Sequence, residues 1–140
     1  MIVVGVDPDS VKHGVAVYDD RELKVLYTMV LYDLIEYLKG VEGQFIVSIE
    51  DANANKFIYS RNKKTNPRIQ SNIAMAIGKC QQSQVELMRF LDELEMPYVL
   101  HRPQKGNWAK DEAKFKKATG WKGRSSEDTR SAAYFGFLAI

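Results

Sequence analysis

The run Ile2-Val3-Val4-Gly5-Val6 ends in a carboxylate, Asp7. An apolar stretch this rich in Val and Ile reads as a strand buried on both faces. A charge is unfavourable inside such a sheet, so Asp7 belongs at the strand's end, facing an opening. A carboxylate there needs a partner, and a metal ion is one candidate. The turn-forming sequence Asp7-Pro8-Asp9-Ser10 offers another, in which Asp7 bonds local backbone N–H groups.

Outward from this strand, Gly14–Tyr18 and Leu23–Val30 read as two more strands, joined by a hairpin turn at Asp19-Asp20. Leu31, Leu34, Ile35 and Leu38 have helical spacing, and Gly40 closes that helix. Phe45–Ile49 is a second buried-type strand, and it too runs into acid, at Glu50 and Asp51. Residues 52–70 read as a long loop. A long helix follows from about Ser71, with Ile73, Ile77, Cys80, Gln84, Leu87, Leu91 and Leu94 in a heptad-like stripe. Such a stripe faces a core or a dimer seam. Pro97 ends the helix, Tyr98–His101 makes a short strand, and Trp108–Ala118 and Glu127–Ile140 read as helices. On the last helix Ala132, Phe135 and Leu138 or Ala139 point inward. A hairpin followed by alternating strands and helices argues an α/β fold with a mixed sheet.

At 140 residues the chain makes one domain with a single sizeable core. Its apolar runs are far shorter than the ~20 residues that span a bilayer. No export signal is visible, and the one cysteine, Cys80, has no internal disulfide partner. These features predict a cytoplasmic protein. The charge is unevenly spread. Residues 1–55 hold four basic and ten acidic residues. Residues 56–68 hold five basic residues (Lys56, Arg61, Lys63, Lys64, Arg68) and no acid. Residues 101–124 hold eight basic and two acidic residues. An acidic half beside two basic segments suits a metal site flanked by phosphate-binding surface.

Three acids stand out: Asp7, Glu50 and Asp128. If the strands ending at Asp7 and Glu50 are parallel neighbours, both carboxylates emerge at one sheet edge, where open α/β sheets place ligands. Asp128 falls in the first turn of the last helix, from which it reaches the same edge. Hard oxygen donors favour Mg²⁺ or Mn²⁺ over zinc. Two such ions ~3.5–4 Å apart can activate water and stabilise the leaving oxygen in phosphodiester cleavage. Structural alternatives also exist: a capping box of Ser125 with Asp128, and a pairing of Glu50 with a nearby lysine.

Together these segments resemble the RuvC-like Holliday-junction resolvases of the RNase H-like superfamily. Val4–Val17 resembles the family's opening strand, turn and second strand, and Val47–Asp51 the strand bearing its catalytic Glu. Ala76–Ser83 resembles the segment at the family's dimer interface. His101–Lys105, Lys114–Gly120 and Glu127–Ala133 resemble the last strand, the basic segment and the final acidic helix. The resemblance implies an RNase H-like α/β fold: a five-stranded mixed sheet with helices on both faces. It implies a homodimer that binds four-way DNA junctions and hydrolyses phosphodiester bonds with Mg²⁺, or Mn²⁺ in its place. Asp7, Glu50 and Asp128 match three of the family's four metal-binding positions. The fourth is Ser131, where the family has an acid. Serine is a far poorer cation ligand, so either Glu127 or Asp51 substitutes, or cleavage is weak or lost. Asp9, where the family often has glycine, adds charge beside the site.

In the basic loop, Phe57 and Tyr59 are candidates for a junction wedge or for packing onto the core. Lys105, Lys110, Lys114, Lys116, Lys117, Lys122 and Arg124 are candidates for phosphate contact; Trp108 and Trp121 suit either stacking or core. His101 and Cys80 read as structural. Competing functions are a relative acting on RNA, a non-catalytic junction-binding module, and an actin-like or sugar-kinase domain. The last needs two such domains and a nucleotide, and no glycine-rich phosphate loop is present.

Overall fold

The computed structural model describes residues 1–54 and 67–140. In chain order it contains β1 (Ile2–Asp7), β2 (His13–Asp19), β3 (Glu22–Met29), α1 (Leu31–Lys39), β4 (Phe45–Glu50), α2 (Pro67–Glu93), β5 (Tyr98–His101), α3 (Glu112–Thr119) and α4 (Glu127–Phe137). The strands form one mixed sheet in the order β3-β2-β1-β4-β5. β1–β2 and β2–β3 are antiparallel, whereas β1–β4 and β4–β5 are parallel. The expected five-stranded mixed sheet is therefore present.

Side-chain alternation along the strands divides the core in two. Val4, Val6, Val15, Val17, Val47 and Ile49 pack with Leu34, Ile35 and Leu38 of α1 and Leu87 and Leu91 of α2. On the opposite face Val3, Ala16 and Tyr18 pack with Trp108, Phe115, Ala132 and Ala133. Helices thus cover both faces. Among the described residues, no helix is long and apolar enough to cross a membrane.

Several boundaries differ from expectation. The β2–β3 turn sits at Asp20-Arg21, one residue later than expected, with φ of 50° and 67°. Two residues with positive φ match the twist of the hairpin's strands. Residues 67–70 belong to α2 and not to a loop, because proline is tolerated in a helix's first turn. Of the α2 stripe only Gln84, Leu87 and Leu91 are buried, and Leu94 lies beyond the helix, exposed. α3 begins at Glu112 and not Trp108, because Asp111 caps it by accepting the Lys114 backbone N–H at 3.0 Å. Trp108 is instead buried against Phe115, Tyr134 and Phe137, which makes it a core residue. α4 ends at Phe137, leaving Leu138 exposed, while Ala132 and Phe135 are buried as expected.

Candidate functional site

The β1–β4 ladder runs in parallel register to Val6 opposite Ile49, so Asp7 and Glu50 are the next residues along two adjacent strands. Asp7 shares a sheet face with Val3 and Gly5, and Glu50 with Ser48. That is the face covered by α4. The sequence therefore puts both carboxylates at the carboxyl edge of the sheet, side by side and under one helix.

Small residues set the height of that helix. A side chain on Gly5 would run into the Ala132 carbonyl and the backbone of Gly136. One on Gly136 would lie 2.7 Å from the Tyr18 ring. Near the site, one on Gly14 would collide with the Asp128 carbonyl. Polar anchors fix the helix along its length. The Tyr18 hydroxyl donates to Ala133 O and Ser48 Oγ to Phe135 O, both at 2.6 Å. Phe135 is among the last four residues of α4, whose carbonyls lack intrahelical partners. Because the Ser48 hydrogen is committed there, His101 Nε2 donates to Ser48 Oγ at 2.9 Å. His101 is thus a buttress between β5, β4 and α4, in line with its structural reading.

At its N-terminus α4 is capped by Ser126, which accepts the Thr129 N–H at 3.2 Å while Thr129 Oγ1 accepts the Ser126 N–H at 2.8 Å. The expected box of Ser125 with Asp128 is not the one used. Ser125 instead accepts from Arg130 Nη1 at 2.9 Å, and the Asp128 carboxylate is left out of the cap. Ser131, one turn on and 2% exposed, has its hydroxyl 3.4 Å from Glu50 Oε2. It also lies within hydrogen-bonding reach of Asp7.

The electrostatics follow from this crowding. Burial, then the charge of Glu50, pushes the Asp7 carboxyl up to about 8. Burial also raises Glu50, while its contacts with Asp7 and Ser131 pull it back down. Two adjacent half-buried carboxylates cannot both ionise without a counter-charge, so the pair holds one proton at neutral pH. Asp128 acts on both through its charge alone, and is itself raised by burial and by Asp9. The extra charge at Asp9 therefore bears on Asp128. Asp9 is held by the Ser10 N–H on its carboxylate, by Ser83 Oγ on its carbonyl and by His13 Nδ1 on its N–H.

Among the described residues, no group of three or more His, Cys, Asp or Glu is arranged to hold a metal ion. Asp7 and Glu50 are the assembled part of the expected ligand set, and Asp128 stands apart from them. A protonated carboxylate pair with only oxygen donors, no imidazole and no thiolate, is what a hard divalent cation would relieve. The residues fit Mg²⁺ or Mn²⁺ in that chemical sense.

Asp51 is committed elsewhere. Its Oδ1 accepts from the Asn53 N–H and from Gln84 Nε2, each at 3.0 Å. Gln84 Oε1 accepts from Ala52 N at 2.6 Å and Asn53 Nδ2 at 3.1 Å. The buried Gln84 in the α2 stripe thus clamps the segment that leaves β4. Glu127 is exposed on α4. Lys105, Lys110, Lys114, Lys116, Lys117, Lys122, Arg124 and Arg68 are all exposed, with Lys116 paired to Glu112 at 3.1 Å. Lys56, Phe57, Tyr59, Arg61, Lys63 and Lys64 lie outside the described residues. One residue was missed entirely: Asn107, whose side chain reaches Ser131 Oγ at 2.9 Å. Nothing in the surrounding sequence marks it.

No family model matches the sequence, and no curated protein does. Solved structures do match. The chain resembles RuvC of Thermus thermophilus in complex with a Holliday junction substrate, at TM-score 0.61 and 14% identity, covering 98% of this chain and 91% of that one. A second Thermus thermophilus RuvC structure matches at TM-score 0.57 and 16% identity, covering 99% and 93%. The fold is RuvC-like. It is the RNase H-like α/β arrangement that the sequence motifs implied, over nearly the whole chain. In this RuvC-like fold the carboxylate pair sits at the end of two parallel strands beneath the last helix.

Proposed function

We propose that the protein is a structure-selective endonuclease that binds four-way DNA junctions and hydrolyses phosphodiester bonds with Mg²⁺, or Mn²⁺ in its place. The observation that carries this reading is the adjoining Asp7–Glu50 carboxylate pair at the carboxyl edge of β1 and β4, in a RuvC-like fold. Asp7 and Glu50 would hold the cation, with Asp128 as the third carboxylate. A divalent cation bound there supplies activation of water and neutralisation of the leaving oxygen. The protein's own part is to bind and orient. The exposed basic residues on α3 and its flanks would hold the backbone phosphates, together with Arg68 and with Lys56, Arg61, Lys63 and Lys64. Phe57 and Tyr59 would act at the unpaired centre of the junction. A homodimer would bring one site to each of two strands; the partly exposed N-terminal half of α2, with Met75 61% exposed, supports pairing there.

A second reading has its own observation. Ser131, at the position the resemblance assigns to an acid, lies 3.4 Å from Glu50 Oε2, and no group of three or more His, Cys, Asp or Glu forms there among the described residues. On that reading the chain binds junctions and cuts them slowly or not at all. One experiment separates the readings: binding and cleavage of a four-way DNA junction, a matched duplex and an RNA junction, with and without Mg²⁺. Preferential binding of the DNA junction with multiple-turnover cleavage, lost in Asp7→Asn, supports the nuclease. Preferential binding without cleavage supports the binding module. Equal affinity for all three substrates would refute both.

A further inference from the structure

Asn107 lies in the stretch between β5 and α3, and its amide has a determined orientation. Its Oδ1 is 2.9 Å from the Ala109 backbone N–H. A backbone N–H can only donate, so the oxygen must face Ala109 and the NH₂ must face the other way. That NH₂ donates to Ser131 Oγ at 2.9 Å. A hydroxyl has one hydrogen and two lone pairs. The amide is met by a lone pair, which leaves the Ser131 hydrogen for the opposite side. There lie Glu50 Oε2, at 3.4 Å, and Asp7.

We propose that Asn107 is a positioning residue of the carboxylate site: it polarises Ser131 into a hydrogen-bond donor toward Asp7 and Glu50. The corner where a fourth carboxylate would bring negative charge is thus filled by a neutral Asn107–Ser131 pair. That pair supports the two carboxylates from behind. A cation held there would meet one negative charge fewer. The donor role of Ser131 stands independently of any cation. Its effect on cation binding rests on the reading of Asp7 and Glu50 as ligands.

Two measurements test these parts separately. Neutron diffraction from the deuterium-exchanged, metal-free protein should place the Ser131 deuteron on the Glu50–Asp7 side and two amide deuterons on Asn107 facing Ser131. A deuteron on the Asn107 side overturns the proposal, whatever the protein's function. The second measurement is Mn²⁺ affinity by calorimetry in Asn107→Ala, Ser131→Ala and the double variant, with thermal unfolding as the check on folding. Each single variant should bind Mn²⁺ about tenfold more weakly, as is typical when a residue that orients metal ligands is removed. The double variant should match Ser131→Ala, because Asn107 acts only through Ser131. Additive losses, or an Asn107→Ala variant with unchanged affinity, would overturn the positioning role. If the unaltered protein binds no Mn²⁺, the cation reading under the proposed function fails, and the neutron result alone decides the role of Asn107.

Discussion

Gly14 is the ladder partner of Asp7, and the first turn of α4 rests on it. The site therefore depends on an atom that is absent: a β-carbon at Gly14 would occupy the space of the Asp128 backbone carbonyl. Gly14→Ala should lift that turn from the sheet. Overpacking of this kind costs about 1–3 kcal/mol, measurable as a lower denaturation midpoint at unchanged m-value. Junction cleavage, where present, should fall further than stability does, since Asp128 and Ser131 move away from Asp7. An unaltered denaturation midpoint would show that α4 does not rest on Gly14 in solution.

The Asp7–Glu50 pair predicts an unusual pH response. Asp7 has an ordinary value of 3.8 and is raised to about 8 in the fold. Between those values the folded state binds more protons than the unfolded chain, so stability declines as pH rises. The metal-free protein should be most stable, in this respect, below about pH 4, and lose that contribution as pH climbs toward 8. Mg²⁺ should counter the loss most strongly at the alkaline end. Thermal unfolding across this range, with and without Mg²⁺, checks both statements. Asp7→Asn should flatten the curve and abolish the Mg²⁺ effect.

Ser131→Asp reverses the neutral corner. Without metal, a third carboxylate packed against Asp7 and Glu50 should lower the melting temperature at pH 8, since like charges would be forced together. With Mg²⁺ the order should invert, and cleavage of a four-way junction should rise by about tenfold or more, on the scale of an interaction of ~1.4 kcal/mol made in the transition state. A variant that cuts no faster than the parent would show that Ser131 is not the weak corner of the site.

Gln84→Leu should keep the apolar packing of α2 but take from the Ala52 N–H its acceptor, while Asp51 Oδ1 keeps the Asn53 N–H and Asn53 Nδ2 keeps Gln81 O. Leaving the half-buried Ala52 N–H unmet costs about 1 kcal/mol. Limited proteolysis of the connection between β4 and α2 should accelerate more than global unfolding does.

On the basic surface, Lys117→Ala and Lys122→Ala should weaken junction binding uniformly across sequences. Removing one lysine–phosphate pairing should lower the log–log salt slope by about 1. Unchanged slopes in both variants would place the DNA path elsewhere.

How much of the fold and site is legible in the sequence follows from where each signal lies. β1 and β4 announce themselves because a Val/Ile run broken by an acid reads as a buried strand, but their parallel adjacency is visible only in the sheet. The cap of α4 is misplaced by one because the acid at the third position after Ser125 favours Ser125, whereas the box that forms pairs Ser126 with Thr129 and Ser125 is taken by Arg130. Gln84 sits in a run of apolar heptad positions, where spacing reports burial but not hydrogen-bond partners. Asn107 leaves no trace, since its role arises from a hydrogen bond to Ser131, 24 positions away, made only once α4 has docked.

The parallel pairing of Ile2–Val6 with Phe45–Ile49 joins segments separated by two strands and a helix. Non-local pairings of this kind form late and slowly in folding. As the chain leaves the ribosome, the β1–β2–β3 meander can close while Asp7 is still alone. Glu50 joins it only when β4 inserts beside β1, and Asp128, Asn107 and Ser131 come later still. The carboxylate pair is thus withheld from the nascent chain by topology: no segment that ends before β4 holds both of its members.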